Sequence, residues 1–258
     1  MIEQLSRRYR LPGRATEQLM ALLRQIAGDP VAPTTVKQAD RIAEEHFADA
    51  LVALQVPAAA NAAALADIGS GVGIPGLPLA IARPSARVCL VESRKPRSTF
   101  IASAIRACGL ENAEVIHARV EEWRAGCETF DVVTARAVAP LEVVVEYAAP
   151  LLRVGGVLIV WRGHREPAAE DAAARAASFL GLDVLDPLPV APYAAAERRH
   201  LHQFVKTGPT PDGFPRRPGM ARKRPLAARR GSNSTAQSDS VAPEPWAPST
   251  RSRIRKVA

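Results

Sequence analysis

Ten consecutive residues, Asp67–Gly76 (DIGSGVGIPG), restrict the fold more than any other stretch of this 258-residue chain. They follow a short apolar run, 62–68. Glycines then fall at alternate positions, Gly69, Gly71 and Gly73, before a helix-like stretch that begins at Pro75. Glycine carries no β-carbon, so it takes positive φ and lets another group lie against the backbone. Strand, glycine loop and helix N-terminus, in that order, are how open α/β sheets hold nucleotide-like ligands. A tight turn alone does not account for three alternate glycines ahead of a helix.

The flanking chain supports such a sheet. Apolar spacing predicts a helix over 15–27, carrying Leu19, Leu22, Leu23 and Ile26. A second is predicted over 36–54, with Ile42, Phe47, Ala50, Leu51 and Leu54 on one face. Together they form an N-terminal helical segment, 1–57. Beyond the loop, strand signals at 87–92, 114–117, 130–135 and 157–161 alternate with helical stretches at 95–108, 140–152 and 167–180. Gly155 and Gly156 are expected to turn the chain before the last of these strands. Two extended pieces, 182–190 and 199–206, lie too close for a crossover helix and should pair as an antiparallel hairpin. The expected class is α/β: a Rossmann-like parallel sheet closed by that hairpin over 58–206, the shape of class I S-adenosylmethionine-dependent methyltransferases.

The glycines alone do not choose the ligand. Gly71, Gly73 and Gly76 also satisfy GxGxxG, the dinucleotide fingerprint. Asp67, two residues before the first glycine, makes the motif DxGxGxG, which is typical of S-adenosylmethionine sites and favours that cofactor over NAD. Glu92 closes its strand where a carboxylate can accept from both ribose hydroxyls. An NAD-dependent oxidoreductase and a non-catalytic RNA-binding protein with a vestigial cofactor fold remain as alternatives.

Charge is distributed unevenly. From Lys206 onward there are 12 lysines and arginines against 3 acids, +9 in a chain of net +8, so residues 1–205 sum to −1. A polyanionic partner met by an extension is the implied reading. No run approaches the roughly eighteen apolar residues of a membrane span. The first ten residues, MIEQLSRRYR, lack the apolar core of a secretory signal, so a cytoplasmic protein is expected. Cys89, Cys108 and Cys127 show no paired spacing, which argues against a disulfide framework or a metal site. From Ala227 the chain is rich in Arg, Ser, Pro and Ala, and 227–258 should be a disordered basic tail.

The stretches DIGSGVGIPGLPLAIARP, LVESRKPRSTFI, ARVEEW and TARAVAPL resemble the bacterial 16S ribosomal RNA guanine-7 methyltransferases, also called glucose-inhibited division protein B. The likeness covers roughly 36–226. It implies methyl transfer from S-adenosylmethionine to the 7-nitrogen of a guanine, with 16S ribosomal RNA or the small ribosomal subunit as partner, no metal, and a monomer. The family's cofactor contacts carry onto Gly69 and Ile74 in the loop, Val120 and Glu121 near the adenine, and Arg136 on the cofactor carboxylate or an RNA phosphate. Arg97 and Arg162 match basic positions at the cleft rim and are candidate phosphate contacts. His46 and Asp49 match a His-x-x-Asp on the second helix. They share one face, and two roles stay open for them, approach to the active site or stapling of the helix. Residues 207–226, with Phe214–Leu226 (FPRRPGMARKRPL), match the family's C-terminal signature, placing Arg216 and Arg217 on RNA phosphates. Deletion beyond Lys206 should then weaken RNA binding and leave cofactor affinity within about threefold. The 7-nitrogen carries a free lone pair, so no catalytic base is nominated.

Overall fold

A computed structural model describes residues 1–30 and 32–226; the expected disorder of 227–258 lies outside the described residues. Seven strands form one sheet in the order β3-β2-β1-β4-β5-β7-β6. Strands β1 (Ala64–Ile68), β2 (Arg87–Val91), β3 (Ala113–Ile116), β4 (Phe130–Arg136) and β5 (Leu152–Arg162) run parallel. The hairpin of β6 (Leu182–Val190) and β7 (Arg199–Lys206) is antiparallel, as expected, with β7 also antiparallel to β5.

Strand β1 is the middle of the five parallel strands, Ala66 opposite Cys89 on one side and Val133 on the other. It is covered on both faces, which is why its sequence shows an apolar run and no alternation. Order reverses between β1 and β4. Ligands of open α/β sheets bind in the crevice at the carboxyl ends of such a pair.

Six helical stretches were expected from sequence, and the one over 36–54 forms as a broken series of short helical turns from Ala39. On the N-terminal side lie α1 (Ile2–Arg8), α2 (Ala15–Gly28), α3 (Ala39–Ile42), a π-helical turn at Ala43–Ala48, α4 (Asp49–Leu51), a 3₁₀ turn at Val52–Gln55 and α5 (Pro57–Asn61). Helices α6 (Gly76–Ala82) and α7 (Lys95–Ala107) follow β1 and β2; α8 (Leu141–Ala148), α9 (Pro167–Phe179) and the short α10 (Met220–Lys223) complete the set. Leu19, Leu22, Ile26, Ile42, Phe47 and Leu51 join one buried cluster with Val88, Leu90, Ile101 and Val132, so the N-terminal helices share the sheet's core. No helix among the described residues is long and apolar enough to cross a membrane.

Three local expectations need correction. Helices α1, α5 and α10 arise where none was expected; α1 buries only Ile2 and Leu5, α5 only Ala59 and α10 only Ala221, too few positions for a period to show. The helix expected over 140–152 ends at Ala148. Gly155 and Gly156 do not reverse the chain but lie within β5, at a register shift against Phe130 and Val132. Gly155 has φ +85°, and a β-carbon on Gly156 would sit 2.8 Å from the Phe130 carbonyl oxygen. Glycines inside a strand commonly mark such a bulge.

Candidate active site

The glycine loop is braced from below by Asp67, which is buried. Its Oδ2 accepts from the Gly76 N–H at 3.1 Å and its Oδ1 from the Thr134 hydroxyl at 2.9 Å. Burial pushes the Asp67 carboxyl up to about 6, against the downward pull of these hydrogen bonds. Gly69 takes φ +66°, and a β-carbon there would meet Val138 Cγ2 at 2.8 Å. Gly71 and Gly73 also have positive φ. The Gly71 N–H donates to Glu92 Oε2 at 3.0 Å, and the Arg94 N–H to Glu92 Oε1 at 2.8 Å. Glu92 is only 4% exposed, so the strand end and the loop are locked together.

Above this frame opens a cleft of about 410 Å³, lined by Gly69, Glu92, Arg97, Val120, Glu121 and Val138 among others. Arg97 lies 3.9 Å from Glu92, within the cleft. Glu121 accepts from the Gly219 N–H at 2.9 Å and from Arg119 at 3.1 Å. Burial works to raise its carboxyl, but these donors together hold it below the usual range. Ile74 is buried in the core and Asp67 lies beneath the loop; neither lines the cleft.

The C-terminal segment closes one rim. Arg222 lines the cleft and donates to the Val138 carbonyl at 2.7 Å. Arg216, expected on RNA phosphate, grips Glu146 with both ends of its fork; Glu146 is buried on α8. Arg124 donates to the Pro215 carbonyl at 3.3 Å. Ala221 and Leu226 are buried in the same cluster as α8. Arg217 is exposed on the outside of the segment.

A second cleft, about 610 Å³, adjoins the first and shares Ala137 and Val138 with it. Arg136 lines this one. Its guanidinium donates to Asp49 Oδ2 and to the Glu45 carbonyl, both at 2.9 Å, and reaches His46 Nδ1 at 3.3 Å. Nδ1 must accept from an arginine, so the ring proton is assigned to Nε2, which donates to Thr34 Oγ1 at 3.0 Å. Burial, then the Arg136 charge, pushes the imidazole down to about 4, leaving it neutral at pH 7. The π-helical turn carries His46, a common setting for functional residues. Asp49 follows it, and the Trp161 indole N–H donates to the Asp49 carbonyl at 2.7 Å. Arg162 and Arg199 complete the charged lining.

Trp161 and Arg199 were not singled out by sequence, and Arg222 was expected only within a cluster, Arg222-Lys223-Arg224, facing RNA. Arg199 and Arg222 stand within basic runs that gave no means to choose among neighbours, and Trp161 read as an ordinary strand residue. Among the described residues no three His, Cys, Asp or Glu side chains gather as a metal site.

Comparison with known proteins bears on the family and the fold. Residues 16–194 match the family model described as rRNA small subunit methyltransferase G. A ribosomal RNA small subunit methyltransferase G of Chloroflexus aggregans is 42% identical over 199 residues, covering 75% of this chain and 82% of that protein. One from Pelotomaculum thermopropionicum is 39% identical over the same shares. Among solved structures, a SAM dependent methyltransferase from Aquifex aeolicus superposes with a TM-score of 0.51 at 13% identity, covering 72% of this chain and 97% of that one. Aeropyrum pernix fibrillarin, solved with natively bound S-adenosyl-L-methionine, gives 0.50 at 19% identity over 61% and 72% of the two chains. The fold is thus that of the class I methyltransferases, and the chain belongs to the rRNA small subunit methyltransferase G family.

Proposed function

We propose that this protein transfers a methyl group from S-adenosylmethionine to the 7-nitrogen of a guanine in 16S ribosomal RNA. The residues present suit that donor. Gly69 leaves open the space that a β-carbon would fill against Val138, and Glu92 keeps free lone pairs toward the cleft for two ribose hydroxyls. Val120 and the Glu121 carboxylate offer an apolar contact and an acceptor for adenine and its amine. When bound, the donor supplies a methyl carbon whose bond to sulfur breaks as the N7 lone pair forms the new one, the positive charge passing from sulfur to base with no proton moved.

The observation that carries the reading is the junction of the two clefts at Ala137 and Val138. One chamber has the features of an adenosine site, and its neighbour is a polar chamber that can receive a base. The protein's work is alignment, which contributes up to about 7–11 kcal/mol in favourable cases. His46 needs no part as a base: burial and the Arg136 charge lower its pKa to about 4, and both ring nitrogens are engaged. The substrate implies an enzyme that works in the cytoplasm with the small subunit.

Incubation with methyl-labelled S-adenosylmethionine and small subunits from cells lacking the enzyme should put label into 16S ribosomal RNA, recovered after digestion as 7-methylguanosine. Label in another nucleoside, or tight NAD binding without S-adenosylmethionine binding, would overturn the reading.

A further inference from the structure

We infer that Asp49 reads the donor edge of the target guanine, its N1–H and 2-amino group; this rests on the guanine-N7 reading above. Asp49 lines the second cleft and is 5% exposed. Its Oδ2 is held by Arg136, but its Oδ1 is screened from water and has no hydrogen-bond partner among the described residues. Buried polar atoms are almost always paired, so an orphan on a cleft wall marks a place for a ligand atom. Everything around it is fixed: Trp161 holds the Asp49 carbonyl, and Arg136 is itself anchored to the Glu45 carbonyl and His46. The torsion that turns a carboxylate is broad, and a partial rotation about it carries the enclosed Oδ1 toward the cleft while Arg136 keeps its hold on the group.

The chemistry of the base fits this wall. In guanine, N7 lies on the five-membered ring and the N1–H and 2-amino donors lie on the opposite edge. A base that points N7 at the first cleft, across Ala137 and Val138, turns its donor edge into the second chamber, whose lining includes Asp49. A carboxylate can only accept, and that edge can only donate. Adenine carries a lone pair at N1, which would face a carboxylate oxygen, so the same group rejects the other purine. Alkylation at N7 makes the ring cationic and its N1–H a stronger donor. The hydrogen bond to Asp49 therefore tightens as the new bond forms, and it lowers the barrier as well as selecting the base.

The test uses small subunits reconstituted with guanosine or inosine at the methylated position, inosine lacking only the 2-amino group. Wild type should methylate the inosine particle about 10- to 100-fold less efficiently, the range for one hydrogen bond to a charged group. Asp49→Asn should lose at least as much on guanosine and then treat the two particles alike, while its calorimetric affinity for S-adenosylhomocysteine stays within about threefold. Asp49→Ser serves as a second variant if the first fails to fold. Equal rates of wild type on both particles, or undiminished discrimination by a folded variant, overturns the assignment and leaves the methyltransferase reading intact. Absence of methyl transfer to the guanosine particle overturns both.

Discussion

A carboxyl group without access to water sits two residues ahead of the first loop glycine. Asp67 keeps the Gly76 N–H and Thr134 hydroxyl satisfied, but its pKa is raised by burial to about 6. The folded state therefore holds this proton more tightly than the unfolded chain, whose Asp titrates near 4. Its contribution to stability is fully present below pH ~4 and declines as pH rises through ~6. Urea unfolding at pH 4 and pH 7 should show the advantage of wild type over Asp67→Asn shrinking by on the order of 2–3 kcal/mol at the higher pH. A constant difference would contradict the raised pKa. Gly69 makes a second prediction at this scale. Gly69→Ala puts a methyl group against Val138 at a φ that disfavours any side chain, and calorimetry should find S-adenosylhomocysteine bound about tenfold or more weakly. Both residues were legible because their roles are local. The role of Arg136 was not: its partners Glu45, His46 and Asp49 lie about ninety positions away in the chain.

Among the elements, the C-terminal segment differs most from its sequence reading. Its basic clusters suggested an arm for RNA alone. In the fold, Gly219 caps Glu121, Arg222 ties to Val138, and Arg216 is clasped by Glu146, so the segment is a wall of the first cleft, the proposed cofactor site. Deleting residues from 214 onward should thus weaken S-adenosylhomocysteine binding about tenfold or more, in place of the threefold limit expected from sequence. Glu146→Gln leaves Arg216 facing a neutral partner and should reproduce part of that loss; calorimetry unchanged in both proteins would return the segment to a purely RNA-facing role. Element types themselves were readable, since parallel strands covered on both faces give apolar runs and the hairpin spacing leaves no room for a helix. The Gly155–Gly156 bulge was misread because a glycine pair permits both a turn and a kink, and only pairing with β4 selects between them.

For the molecule as a whole, the charge imbalance is smaller in effect than its count. Lys206, at the end of β7, is buried with its ammonium on the Leu180 carbonyl at 2.7 Å and Thr210 Oγ1 at 2.6 Å, and burial pushes it down to about 8. Arg216 is likewise used internally. Among the described residues of the C-terminal segment, Arg217, Lys223 and Arg224 are exposed. Removal of 227–258 alone should flatten the salt dependence of RNA binding and leave S-adenosylhomocysteine affinity unchanged; an unaltered slope in filter-binding assays would deny the tail that role. What the sequence by itself determined is the order of strands and helices, the glycine cradle and the closing hairpin. Turn chemistry and apolar periodicity act between residues a few positions apart, and a linear pattern records them. Only the tertiary structure decided that Arg136 faces Asp49, that Trp161 supports it, and that the basic segment closes one rim of the first cleft. Those pairings join residues far apart in the chain through packing and desolvation, which no local pattern encodes.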